Sequence, residues 1–295
     1  MFEKILFCTV LMSHFLYAQT EVGDLKARIQ KTIAASDGRF AVAFKHLDKP
    51  DTFVFIGEKE SYHAASTMKT PVMIEVFKQA KAGKFRLSDS LLVKNEFTSI
   101  VDGSLYQMDV SDDSAEEMYK QIGRRMTVYD LVYQMITVSS NLATNLLIGM
   151  VGAANVANTM SELGAKDIRV LRGVEDQKAF DKGLNNTVTA YDLLSIYEKL
   201  AREQVIDKQA STEMIRILLA QKYNRMIPAL LPEKVRVAHK TGEITGVRHD
   251  SGIVYLPNGQ RYVLVVLSKN LAKPDEAVKM MAEISKMIYE FVVAK

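Results

Sequence analysis

Cysteine is almost absent from this chain: Cys8 is the only one, and it lies inside an apolar N-terminal run. Without that run no disulfide can form in any redox compartment, and a thiol nucleophile is excluded. Zinc-ligand spacing is missing too. His46, His63, His239 and His249 are scattered, with neither His-x-His nor His-Glu-x-x-His among them, so neither a metal hydrolase nor any metal or organic cofactor is expected. Basic clusters are also lacking. The net charge is +3, with lysines and glutamates mixed along the chain, which reads as ordinary solvated surface and not as a nucleic-acid footprint. After the N-terminus no segment approaches the roughly 18 consecutive apolar residues of a membrane span. Internal repeats, low-complexity runs and flexible interdomain linkers are not found.

What is present begins with a short charged stretch (residues 1–4), an apolar run (5–17) and the small residue Ala18. This order reads as a secretory signal peptide over residues 1–18. The expected mature chain, 19–295, is secreted or periplasmic, monomeric and without stable membrane insertion. Cys8 lies within the apolar run and not at the cleavage boundary, which argues against lipid anchoring.

Apolar spacing predicts a helix from Asp24 to Ala35, ended by Gly38, then strands over 40–47 and 52–56 around the turn Asp48-Lys49-Pro50-Asp51. A helix from about Ser66 to Ala82 follows. From there to about residue 204 the chain reads as helix and loop, including helices over 127–136, 141–151 and 189–200. Strand character returns over 242–256 and 260–268 around Pro257-Asn258-Gly259, and 274–293 closes as an amphipathic helix. Strands at both ends predict a discontinuous α/β part, about 19–62 and 205–295, holding an inserted all-α part, about 63–204. Catalytic groups are expected in the cleft between them. The fifteen methionines read as gap-filling core residues. The polar segment 94–125, with Asp102, Asp109, Asp112, Asp113, Glu116 and Glu117, reads first as a solvated loop and second as a cleft-edge element.

The chemistry centres on Ser66-Thr67-Met68-Lys69. Residues three apart share a helix face, so the Lys69 amine can approach the Ser66 hydroxyl. A serine needs such a neighbouring base to become a nucleophile, and lysine serves if its pKa is lowered. Pro71 places Ser66 at a helix start, where free N–H groups and the helix dipole stabilise developing negative charge. Two companions follow: Ser139-Ser140-Asn141, 73 residues after Ser66, and Lys240-Thr241-Gly242, 101 residues after Ser139. Read alone, Ser139 and Ser140 also suit a helix cap, and Lys240 a surface charge. Ser268-Lys269-Asn270 repeats the second pattern but follows the third in the chain and is set aside.

Together and in order, these motifs resemble those of the penicillin-recognising serine hydrolases, most closely the class A β-lactamases, whose pattern is Ser-x-x-Lys, Ser-Asp-Asn and Lys-Thr-Gly. The run from Ser139 to Leu147, His239 before Lys240 and the strand-like 262–267 fit the same family. The resemblance implies an α/β plus all-α, β-lactamase/transpeptidase-like fold, with an antiparallel sheet flanked by helices and an inserted helical domain. It implies that Ser66 is acylated by a β-lactam or peptidoglycan-like amide, that Lys69 holds or takes its proton, and that Ser139 passes a proton to the leaving nitrogen. Asn141 would bond Lys69 or the substrate amide, and Lys240 and Thr241 would face the substrate carboxylate. Gly242 would let the strand approach, and the backbone N–H groups of Ser66 and Glu243 would form the oxyanion hole.

Two places depart from the family pattern. Ser140 stands where class A has an aspartate thought to hold the loop. The class A Glu-x-x-Leu-Asn after an arginine is matched only by Glu175 after Arg172, without Leu-Asn at that spacing; Leu184-Asn185 comes later, preceded by Asp181. Glu175 is the preferred base for the hydrolytic water, with a structural role as its rival and Asp181 as the outsider. If neither acid reaches the water, the acyl-enzyme persists. Arg248 is a candidate for a substrate carboxylate or for a salt bridge, and Tyr106 for the cleft edge. The expected activity is class A-like β-lactam hydrolysis. The alternatives are a D-alanyl-D-alanine peptidase, a related amide or ester hydrolase, or a penicillin binder that does not turn over.

Overall fold

In a computed structural model, which describes residues 20–294, the strands form an antiparallel five-stranded sheet in the order β2-β1-β11-β10-β9. These are β1 (Arg39–His46), β2 (Phe53–Ile56), β9 (Arg236–Ile244), β10 (Val247–Tyr255) and β11 (Arg261–Lys269). The expected signal peptide lies outside the described residues. The sheet is buried on both faces, and the period-2 alternation of a strand sorts its side chains. Val42, Phe44, Leu264 and Val266 face a core made with helix α1 (residues 20–34) and α9 (Pro274–Val293). Their neighbours Ala41, Ala43, Val263 and Val265 face the other core.

That second core carries the helical part: α2 (Lys69–Lys81), α3 (Val128–Thr137), α4 (Asn141–Val151), α5 (Ala153–Glu162), the short α6 (Gln177–Asp181), α7 (Ala190–Ala201) and α8 (Lys208–Leu219). α7 packs against β1, β10 and β11, and α8 lies against β9. Three small ladders stitch the loops: β3 (Tyr62–His63) with β8 (Thr187–Val188), β4 (Ser90–Leu92) with β7 (Arg125–Thr127), and β5 (Phe97–Thr98) with β6 (Leu105–Tyr106). Among the described residues no helix is long and apolar enough to cross a membrane.

Two expectations need correction. The strand expected over 242–256 is a hairpin: β9 already begins at Arg236, and the chain reverses at Thr245-Gly246 to pair Ile244 with Val247. Gly246 has φ +69°, a left-handed conformation that costs glycine little. The segment 94–125 is also no mere solvated loop. Its Ser99 and Asp113 are buried, and both bond to loops of the candidate site.

Candidate active site

Ser66 sits in a 3-10 turn, Ala65–Met68, that leads into α2. Side chains at i and i+3 eclipse in such a turn, so Ser66 and Lys69 share a face as the motif requires. Ser66 is partly open to solvent, whereas Lys69 is fully buried. The turn is pinned from beneath. Ala65, with φ +45°, donates its N–H to His63 Nδ1 at 3.0 Å. His63 in turn accepts at its carbonyl from His249 Nε2, 2.8 Å away. Burial pushes the His249 pKa down to about 4, so this ring is neutral; its Nδ1 accepts from the Ser268 N–H at 3.1 Å.

The second motif closes over Lys69. The lysine amine donates to the Ser139 carbonyl at 2.7 Å, to Asn141 Oδ1 at 2.8 Å and to Ser139 Oγ at 3.2 Å. Ser139 holds φ +59°, which turns both its carbonyl and its hydroxyl toward the lysine. Ser140 is the N-cap of α4, its Oγ accepting from the Ala143 N–H at 3.1 Å. The capping role weighed for both serines therefore falls to Ser140, and Ser139 is left to face the site.

Lys240 reaches the same hydroxyl from the sheet: its amine lies 3.0 Å from Ser139 Oγ and 2.9 Å from the Thr241 carbonyl. It is fully buried, not a surface charge. Burial lowers the Lys69 pKa to about 7, partly opposed by the charges of Asp113 and Glu175. Burial, and then the neighbouring Lys69, hold Lys240 well below the usual lysine range.

β9 is an edge strand, so one row of its backbone N–H and C=O groups is free of ladder pairing and available to a ligand. It packs directly on the Ser66 turn. A Cβ on Gly242 would stand 3.2 Å from the Ser66 and Thr67 backbone nitrogens. Only glycine leaves the gap between the Ser66 N–H and the following residue, Glu243, unobstructed.

Glu175 lies on the loop between Arg172 and α6, with φ +59°. Its Oε1 accepts from Asn141 Nδ2 at 3.3 Å. Burial and the nearby Asp112 raise its pKa, while Lys69 and Arg172 pull it back. Three anchors hold the loop. Asn145 on α4 accepts from the Val174 N–H at 2.7 Å and donates to the Val174 carbonyl at 2.9 Å. Asp176 caps α6 and takes the Ser99 hydroxyl at 2.9 Å and the Ile100 N–H at 3.0 Å. Arg172 donates to the Leu184 carbonyl and to Asn185 Oδ1, so the displaced Leu-Asn pair serves as an arginine anchor. Asp181 is exposed and bonded to Gln177, and it joins none of these contacts.

Ser66, Ser114, Ser139, Tyr223, Arg225, Met226, Thr241 and Glu243 line a cleft of about 340 Å³. Arg248 is not brought there. Its guanidinium donates to the Ile244 and Val247 carbonyls and pairs with Glu243 at 3.5 Å, bracing the hairpin turn. The arginine facing the cleft is Arg225, on a segment held by His239 and Asp250. His239 bonds Asp250 at 2.8 Å and Asn224 at 3.0 Å, and Asp250 accepts the Ile227 N–H at 3.0 Å. Tyr106 supports the glutamate loop from behind, donating its hydroxyl to the Val174 carbonyl at 3.0 Å.

Sequence reasoning missed Asn145, Asp113, Asp176 and Arg225. Asn145 carried a signal, lying four residues after Asn141 on the same helix face. The others are single polar residues in loops, with no periodicity to single them out.

Ser66 at its helix start, facing the hydroxyl that both buried amines share, places the chain among the active-site serine hydrolases of the β-lactamase/transpeptidase-like fold. Residues 24–292 match the model of the beta-lactamase enzyme family, and the chain belongs to that family. It is 22% identical over 305 residues to beta-lactamase VEB-1 of Pseudomonas aeruginosa, covering 97% of each chain. Among solved structures it resembles a beta-lactamase from Sphaerobacter thermophilus (TM-score 0.78, 24% identity, 90% and 97% of the two chains). It resembles PBP-A to the same degree in fold (TM-score 0.77, 24% identity, 92% and 97%). The chain is thus a serine β-lactamase-like hydrolase.

Proposed function

We propose that this enzyme is exported and opens β-lactam rings through an acyl-enzyme on Ser66, which water activated by Glu175 then releases. Neutral Lys69 takes the Ser66 proton as the hydroxyl attacks the ring carbonyl. The carbonyl oxygen becomes an oxyanion between the Ser66 and Glu243 N–H groups, where losing one donor typically costs about 10²–10³-fold in rate. The ring C–N bond breaks as Ser139 protonates the departing nitrogen, and Lys69 passes the proton it took from Ser66 on to the Ser139 oxygen, 3.2 Å away. Glu175 then removes a proton from water attacking the ester and returns it to the Ser66 oxygen, which leaves as the alcohol. Lys240, Thr241 and Arg225 face the substrate carboxylate.

The observation that carries this reading is the Asn141 amide. One end takes the Lys69 amine and the other gives a hydrogen bond to Glu175, which sets a candidate deacylating acid one side chain from the acylating base. An intact-mass time course with excess penicillin, run beside an assay of hydrolysed product, tests it. A transient adduct with multiple turnovers is expected. A stable Ser66 adduct without turnover would replace hydrolysis by a peptidase-like or stalled acylation. Neither adduct nor product would overturn the β-lactam assignment.

A further inference from the structure

Asn141 carries the contact between the two halves of the reaction, yet its own motif provides little to hold it. The residue before it is the short Ser140, whose Oγ is already committed to the Ala143 N–H. What grips this turn comes from elsewhere in the chain. Asp113, at the end of the 3-10 turn Val110–Asp112, points its carboxylate at the start of α4. Its Oδ2 accepts from the Leu142 N–H at 2.8 Å and from the Ser140 hydroxyl at 3.4 Å, while its Oδ1 accepts from the Ala115 N–H at 3.0 Å. The preceding residue, Asp112, takes the Asn141 side-chain amide on its carbonyl at 3.1 Å. Asp113 is buried, so its charge is not screened by solvent.

The position is chemically apt. The first turn of α4 has free N–H groups and the positive end of the helix dipole. A carboxylate there accepts charge-assisted hydrogen bonds, which are stronger than those a serine hydroxyl can make. Both flanks of Asn141 are thereby fixed, and with them the Ser139 carbonyl and hydroxyl that hold Lys69. The same charge also acts on Lys69 directly, as one of two acids whose attraction opposes the lowering of its pKa by burial; the other is Glu175. Lys240, the other amine on the Ser139 hydroxyl, is itself lowered by burial and then by Lys69.

We propose that Asp113 is a positioning residue for acylation, supplying from the 94–125 segment the carboxylate that holds Ser139-Ser140-Asn141 against Lys69. Its work is independent of the substrate's identity, but the inference rests on the Ser66 chemistry proposed above. It also explains how the motif functions with serine at its middle position.

The test is a double-mutant cycle between Asp113→Asn and Ser140→Asp, read by the rate of Ser66 acylation with a penicillin across pH and by thermal midpoint. Asp113→Asn should slow acylation about tenfold and move its acidic limb to lower pH, because Lys69 loses an attractive charge. Loss of stability alone would not move that limb. Ser140→Asp in the wild-type background should also be harmful, since it sets two carboxylates against each other. The double variant, with one carboxylate again at this site, should recover most of the rate and return the limb toward its wild-type position. Asp113→Asn with an unchanged rate and limb would overturn the inference, as would a double variant no better than Asp113→Asn alone. A wild-type enzyme that forms no adduct would instead strike the proposed function, so the two failures are distinguishable.

Discussion

Lys69 and Lys240 both reach the Oγ of Ser139, at 3.2 and 3.0 Å. Two fully buried amines on one hydroxyl cannot both carry a proton cheaply. Lys69, with its pKa lowered to about 7, is able to act as a base near neutrality. The acylation rate, read as kcat/KM of the free enzyme in a turnover assay, should therefore rise with pH through a midpoint near that value. The same shift has a stability consequence. Between about 7 and the ordinary lysine value of 10.5 the unfolded chain binds this proton and the folded one does not. Stability should rise with pH across that window. Thermal midpoints of Lys69→Met should show a shallower slope there than the wild type.

Glu175→Gln keeps a side chain able to bond Asn141 but cannot accept a proton from water. Acylation should change little, while release of the adduct slows by about 10²–10⁴-fold, the usual range for a lost general base. Quenched-flow intact mass would show Ser66 adduct accumulating. Unchanged release would move the base to another group.

Gly173 touches the anchor of the glutamate loop. A Cβ there would meet Asn145 Oδ1 at 2.3 Å, too close to be accommodated without moving Asn145. Gly173→Ala should break the paired bonds between Asn145 and Val174, costing about 1–3 kcal/mol in a denaturation experiment. Deacylation should fall more than acylation, because the displaced loop carries Glu175 and not Ser66.

Arg225→Ala should raise KM for carboxylate-bearing substrates with a smaller effect on kcat, since its guanidinium faces the cleft. Arg248→Ala should act mainly on stability, through the hairpin turn it braces. Steady-state kinetics of the two variants, measured together, separate these roles. The reverse pattern would return Arg248 to the substrate.

The architecture was legible because its signals are local. The apolar runs over 40–47 and 52–56, the turn between them and the helix over 274–293 all stand where the sequence places them. The hairpin at Thr245-Gly246 was missed because its two strands carry polar residues at consecutive buried positions, His239, Lys240 and Thr241 on one and His249, Asp250 and Ser251 on the other, and are joined by only two residues. Buried on both faces, such strands lose the alternation that would mark their ends.

What the sequence determined by itself was the set of candidate groups for the proposed reaction. Ser66 and Lys69 lie within one turn, and the short patterns around Ser139 and Lys240 identify their partners before any fold is drawn. Only the tertiary structure decided how those groups are held and charged. Asp113 and Leu142 are 29 residues apart, and Ser99 lies 77 residues from Asp176. A hydrogen bond across such a distance leaves no periodicity in the chain, and burial, which sets the Lys69 pKa, is a property of everything packed around the amine.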